Sequence, residues 1–366
     1  MEKPLMFEAY PELSGNIPWI GMGTFPTPIQ KMEMLGSMLG HNSLWVKRDD
    51  LSSDKMGGNK VRVMEFLLAD AVRKGKRKAI SPGALGSNQI LASAIYGHDL
   101  GIEVVGIFFK QCDTDYMCKH MMIDKSLGVR FNHVENPYLV PFAILWHYLK
   151  NIDWMHMDPP FYVPTFGSSA ICALGYFNAM LELKTQVIKG EVPEPDYIFV
   201  TAGTGGTMAG LELGARALGM KTKVVGVRIT DWIACNEWLV ASILNRAWRH
   251  LRKSGANLPA LKWKASDINM VHDFFGGEYA KITDEAVEAK DLAAREEGLK
   301  LDTTYTAKTM AAMIDYIKRE GLKGKDVLFW HTYNTRDLSP FIEDGLTSEC
   351  FPPEFRGYFK EDNFAA

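Results

Sequence analysis

The 366-residue chain contains no apolar run long enough to cross a bilayer, so no membrane span is expected. Cysteine is scarce: five, an odd number at irregular spacing, with no CxxC pair. That argues against a disulfide framework and reads as reduced thiols in a cytoplasmic protein. Cys112, Cys118 and His120 lie close in sequence but have no evident fourth ligand, so no metal is expected. Neither sign of charge is in surplus, since 41 Lys and Arg face 44 Asp and Glu. Nucleic acid and anionic membrane are therefore not expected as partners. Met1-Glu2-Lys3-Pro4 lacks the basic start and apolar core of a secretory signal. There is no internal repeat, low-complexity stretch or flexible linker. What remains is 47% hydrophobic, enough for one large or two medium domains packed around full cores.

The apolar pattern alternates between strand and helix periods. After an irregular lead-in over 1–30, helical spacing begins at Thr27-Pro28-Ile29-Gln30 and runs through Leu39. Strands are expected at 43–50, 78–81, 103–109, 129–134, 196–201, 223–229 and 327–331. Helices are expected from Lys60 to about Arg73, then over 90–97, 117–127, 142–149, 169–188, from about 207 to 218, around Trp232, Trp238 and Trp248, and over 280–297 and 306–320. This alternation predicts an α/β fold with mainly parallel sheets. Residues 337–366 follow the last strand with three prolines and five phenylalanines, and are expected to wrap the body or a second subunit.

The stretch Met56-Gly57-Gly58-Asn59-Lys60 holds a lysine where a helix begins. The helix dipole and the free N–H groups there disfavour an ammonium, and partial burial disfavours it further. Such a lysine can serve as a nucleophilic amine, and the chemistry that uses one is Schiff-base formation, most often with pyridoxal phosphate. A solvated lysine after a glycine turn is the plain alternative.

Gly203-Thr204-Gly205-Gly206-Thr207 lies between an apolar strand and a helix. Its small residues let N–H groups approach an anion at a helix start. The dinucleotide fingerprint fails at Met208 and the nucleoside-triphosphate loop fails at Leu211, which leaves a cup for a single phosphate or an unliganded turn. Gly86-Ser87-Asn88-Gln89 also joins a strand to a helix and suits a carboxylate, or an ordinary cap. Tyr305-Thr306 starts a helix and His331-Thr332 ends a strand. Ser87, Gly203 and Thr332 all follow strands, where parallel sheets bind ligands. Ser87 and Ser168 lack the glycines of a hydrolase nucleophile elbow.

In order, Lys47-Arg48-Asp49-Asp50, Gly58-Asn59-Lys60, Ser87-Asn88-Gln89, Gly203 to Thr207, Tyr305-Thr306 and His331-Thr332 resemble the D-cysteine desulfhydrase and 1-aminocyclopropane-1-carboxylate deaminase family. These are pyridoxal-phosphate enzymes of the tryptophan-synthase-β fold type. The resemblance covers about Thr27 to Thr332. It implies that Lys60 holds the cofactor as a Schiff base and that Gly203, Thr204, Gly205, Gly206 and Thr207 bind its phosphate. Asn88 would meet the ring oxygen and Thr332 the pyridine nitrogen. Ser87, Asn88 and Gln89 would face the substrate, with Tyr305 beside the reacting carbon. The implied fold has a large domain of 1–62 and 178–366, including the extension 337–366, with a small domain of 63–177 inserted in it. The cofactor would lie between the two domains, and a homodimer is implied.

The implied reaction is β-elimination and deamination of a small amino acid, D-cysteine or another β-substituted one, to a 2-oxo acid and ammonia. Ring-opening deamination of the cyclopropane amino acid is the alternative within the family. Those deaminases carry a glutamate where Thr306 stands. The chain also departs from the family at Gly86, at Phe166-Gly167-Ser168-Ser169, and at Tyr333-Asn334, where two glycines are usual. Tyr333 is therefore expected to shape the substrate side. A protein that binds the cofactor with little catalysis is the alternative from a different class.

Overall fold

The computed structural model describes residues 3–164, 169–360 and 363. Among them are ten strands: β1 (Ile29–Lys31), β2 (Leu44–Arg48), β3 (Lys78–Ala84), β4 (Glu103–Phe109), β5 (Arg130–Val134), β6 (Phe161–Tyr162), β7 (Tyr197–Ala202), β8 (Lys223–Arg228), β9 (Asn269–Val271) and β10 (Val327–His331). They form a six-stranded sheet in the order β1-β2-β10-β7-β8-β9 and a four-stranded sheet in the order β5-β4-β3-β6. Every pairing is parallel except β1 with β2.

Each sheet belongs to its own compact unit. The larger is Met1–Phe66 with Ser168–Arg336, and the smaller is Leu67–Gly167 with Asp337–Ala366. In the larger unit the central strands are buried on both faces, and the period of two sends alternate side chains to opposite layers. Ile198 and Val200 of β7, with Leu328 and Trp330 of β10, enter one core. Phe199, Val327 and Phe329 enter the other. The first core is closed by the helices Ala170–Ile188, Gly206–Ala217 and Glu237–Lys253, and the second by Asp284–Glu297 and Thr306–Arg319.

The expected α/β alternation is the observed one, with the unanticipated strands β6 and β9 added and four further differences. Helical spacing across Thr27 to Leu39 resolves into strand β1 followed by the short helix Glu33–Met38. Ile29 pairs with Lys47, so sheet hydrogen bonding overrides the local pattern. Strand β3 runs on to Ala84, because Ser81, Pro82 and Gly83 all pair with β4. Trp232 falls in a turn ahead of the helix Glu237–Lys253, which Asn236 caps by accepting from Leu239 N–H.

The fourth difference concerns the domains. The segment 337–366 was assigned to the larger domain, but its described residues pack with the smaller unit. The cause is aromatic. Phe351 and Phe355 are buried and stand edge-on to Phe131, and Phe355 also meets Phe108 at 5.7 Å. Lys119 pairs with Asp337, and the Cys118 thiol meets Tyr358 O. Of the Phe166-Gly167-Ser168-Ser169 loop, the first three residues lie outside the described residues.

Candidate active site

Lys60 is the second residue of the helix Asn59–Arg73 and is half-buried. Desolvation lowers the pKa of its amine, and the neighbouring Cys172 thiol opposes the shift. The residues before it are stitched to the end of β10. Asn59 N–H donates to Thr332 O (3.0 Å), and Gly57 N–H donates to Asn334 Oδ1 (2.8 Å). Gly58 has φ +86, and a Cβ there would lie 2.6 Å from Thr332 O. Only glycine allows both that backbone and that approach.

Below Lys60 the helix is anchored by buried charge. Arg62 pairs with Asp49 (2.8 Å) and Glu182 (2.9 Å), and Lys47 also reaches Glu182. Tyr176 OH and Trp330 Nε1 donate to Asp49 Oδ2 at 2.8 and 2.7 Å. Burial alone would raise the Glu182 pKa, but Arg62 and Lys47 overcome it and hold the carboxyl at about 2. Asp49 comes from the end of β2 and Glu182 from the helix Ala170–Ile188, so the cluster locks the Lys60 helix onto the sheet.

The Gly203–Thr207 loop follows β7, which is next to β10 in the sheet. Gly205 caps the helix Gly206–Ala217 in the left-handed region (φ +80), and a Cβ there would strike Val240 Cγ2 at 2.5 Å. Backbone N–H groups of Thr204, Gly205, Gly206 and Thr207 have no acceptor among the described residues. Asn59 Nδ2 donates to Thr207 Oγ1 at 3.3 Å, linking the lysine's helix to this cup. The Thr332 hydroxyl also lacks a partner among the described residues.

Tyr305 precedes the helix Thr306–Arg319, where the Asp302 carboxylate accepts from the N–H groups of Thr304, Tyr305 and Thr306. A Cβ on Gly203 would lie 3.8 Å from the Tyr305 ring. Its hydroxyl meets that of Tyr279, whose rings stand 6.2 Å apart and edge-on. Burial pushes the Tyr279 phenol up to about 12. Thr306 is turned away from such a role, because its buried hydroxyl donates to Asp302 at 2.7 Å.

Lys60, Gly203–Thr207, Tyr305 and Thr332 thus come together in the larger unit, at the carboxyl ends of neighbouring parallel strands. Tyr333 is half-buried there, with its backbone against Gly58. Ser87, Asn88 and Gln89 belong to the smaller unit. Ser87 caps the helix Asn88–Asp99 by accepting from Gln89 and Ile90 N–H, and the buried Gln89 amide has no partner among the described residues.

Sequence reasoning missed Tyr279, the pinning role of Asn334 and the charge cluster. Glu182 carried a readable signal, as a lone acid between Leu181 and Leu183 on a buried helix. Tyr279 carried none, since it sits in an irregular glycine-rich loop.

Comparisons with known proteins agree with this arrangement. A family model described as "Pyridoxal-phosphate dependent enzyme" matches residues 20–332. D-cysteine desulfhydrase of Salmonella choleraesuis is 32% identical over 311 residues, 84% of this chain and 91% of that protein. A crystal structure of an ACC deaminase homologue superposes with a TM-score of 0.74 at 29% identity, covering 91% of this chain and 95% of the other. Threonine deaminase isoform 2 of Solanum lycopersicum gives a TM-score of 0.60 at 15% identity, covering 93% and 87%, and shares the fold alone.

Proposed function

The chain belongs to the pyridoxal-phosphate-dependent enzymes, and from that premise we propose that it is a lyase removing a leaving group from Cβ and ammonia from Cα of a small amino acid. The residues present fit the cofactor. Four N–H groups without acceptors form a phosphate cup at a helix start, and an unpartnered Thr332 hydroxyl suits a pyridine nitrogen. Lys60 is the amine that would hold the aldehyde carbon, and Asn88 is assigned to the ring oxygen. When bound, pyridoxal phosphate supplies an electron sink for negative charge at Cα.

The chain's own groups do the rest. Lys60, whose amine holds its proton less tightly because of desolvation, removes the proton from Cα. The leaving group departs from Cβ with its bonding electrons, and the Tyr305 hydroxyl delivers a proton to it. Tyr279 holds that hydroxyl in place, and its raised pKa keeps it protonated over the working range. The released 2-aminoacrylate hydrolyses to a 2-oxo acid and ammonia. Ser87 and Gln89 offer a hydroxyl proton and an unpartnered amide at a helix start, chemistry suited to a carboxylate.

A D-cysteine-like substrate is favoured over ring opening of the cyclopropane amino acid, because Thr306 is consumed in the Asp302 cap. Tyr333 is proposed to trim the substrate side. Substituting Tyr333→Gly should then shift preference between amino acids while cofactor absorbance persists. The cysteines, none of them in a disulfide among the described residues, support a cytoplasmic setting, and the exposed Phe142, Leu145 and Trp146 of the helix Val140–Lys150 support a homodimer.

The carrying observation is Lys60, at a helix start with a lowered pKa and joined through Asn59 to both the N–H cup and Thr332. Borohydride reduction of the purified protein should fix the cofactor to Lys60, as read by peptide mass. Screening D- and L-amino acids should show 2-oxo acid and ammonia released in equal amounts. A label on another lysine defeats the site. A yellow, Lys60-labelled protein that turns over no amino acid makes it a binder instead.

A further inference from the structure

On the larger unit, one face of the helix Glu237–Lys253 and the segment 261–266 enclose an open groove of about 770 Å³, lined by none of the residues assigned above. Trp238, Ser242, Asn245 and Arg249 line it at helical spacing, eleven residues from end to end, or about 16 Å. The floor is fixed. Asn245 Nδ2 donates to Trp263 O (2.8 Å), Trp263 N–H returns a bond to Asn245 Oδ1 (3.0 Å), and the buried Trp263 ring stands edge-on to Trp248. Lys262 and Lys264, on either side of buried Trp263, are both exposed on the opposite wall.

The charge here is unlike the rest of the chain. Between Trp238 and Ser266 there are six Lys and Arg and no Asp or Glu, in a protein of net charge −3. Arg249, Lys262 and Lys264 form no ion pair among the described residues. The next acid, Asp267, is spent on capping Lys264 N–H at 2.8 Å. At the other end of the groove from Arg249, Trp238 leaves 72% of its surface in water.

Arg249 Nε donates to Asn245 O at 3.1 Å, which leaves its terminal nitrogens for a ligand. A flat exposed ring with three cations outside any ion pair among the described residues suits an anion that carries its own flat ring. The groove's volume falls within the range of small-ligand sites. Its length suits a single nucleotide rather than a nucleic-acid strand. The Trp263 backbone is already bonded to Asn245, so an extended peptide finds no strand edge there. We propose that this groove binds a nucleoside di- or triphosphate, with the base stacked on Trp238 and the phosphates held by Arg249, Lys262 and Lys264.

The test is calorimetric titration of the holoenzyme with ADP and ATP, and separately with adenosine, tripolyphosphate and polyglutamate. ADP and ATP should saturate one site per chain and weaken with added salt, while adenosine and tripolyphosphate each bind at least tenfold more weakly. Trp238→Ala should cost ADP about tenfold and leave tripolyphosphate unchanged. Lys262→Glu with Lys264→Glu should weaken ADP and tripolyphosphate alike. All three positions are exposed, and cofactor absorbance checks that the variants fold. Absence of saturable nucleotide binding at millimolar concentration overturns the proposal. So does ADP affinity indifferent to both variants, or tighter binding of polyglutamate.

Discussion

Replacing Asn334 tests whether the reactive lysine is positioned from the far end of β10. The Asn334 amide oxygen accepts from Gly57 N–H at 2.8 Å and from Arg336 N–H at 3.2 Å. Arg336 in turn donates to Ser53 O at 2.9 Å and pairs with Asp54, so the residues after β10 are sewn to the loop that delivers Lys60. Asn334→Ala leaves the buried Gly57 N–H without an acceptor, at a cost of about 1–3 kcal/mol. Spent locally, that makes the open loop roughly 5- to 150-fold more populated. Amide hydrogen exchange over residues 56–60 should accelerate by that factor, and dialysis should strip the cofactor faster. Asn334→Asp keeps the acceptor oxygen and should recover most of the protection. Should Asn334→Ala exchange at the parental rate and keep its cofactor, the loop is held instead by Asn59 N–H on Thr332 O and Gly58 N–H on Asp49 O.

Three further outcomes are expected. Tyr279→Phe removes the hydroxyl that meets Tyr305, and kcat should fall about tenfold with KM within twofold, as for loss of a positioned proton-transfer group; an unchanged kcat means Tyr305 needs no partner. Burial lowers His120 from 6.5 to about 4, with its Nδ1–H donating to Gly86 O. The unfolded chain therefore binds a proton the folded one refuses between those values, so stability present above pH 6.5 falls by about 3 kcal/mol as pH drops through that window. Urea unfolding at several pH values should show this, with His120→Gln flattening the slope; an equal slope in the variant removes His120 as the cause. Glu182→Ala leaves Arg62 and Lys47 buried without their shared carboxylate and should cost about 3–5 kcal/mol in denaturant titration; a loss under about 1 kcal/mol would show that the cluster relaxes.

Much of this was legible along the chain. The short, near-continuous apolar runs at 196–201 and 327–331 read as strands, and they lack alternation because both faces are buried. Lys60 was readable because the glycines before it and the apolar helix after it are local features. Ile29–Lys31 was not, since one half-buried and two exposed residues have no period of their own and the Met32-to-Leu39 pattern absorbed them. The Tyr279–Tyr305 contact joins positions 26 apart through a loop without repeating pattern. Asn334 stood out in the sequence only as a departure from a usual glycine. Its amide is turned to the backbone of Gly57, a long-range bond that leaves no mark in sequence spacing.

The packing of Phe351 and Phe355 against Phe131 has a consequence for synthesis. The smaller unit's sheet is translated early, yet two of the rings that cover it emerge 220 residues or more later, after the larger unit has been made. A nascent chain therefore exposes Phe108 and Phe131 through most of elongation, a period when chaperone contact or aggregation competes with folding. A message truncated after codon 336 would encode every residue assigned to the cofactor, and still yield a protein whose smaller unit lacks its aromatic cover.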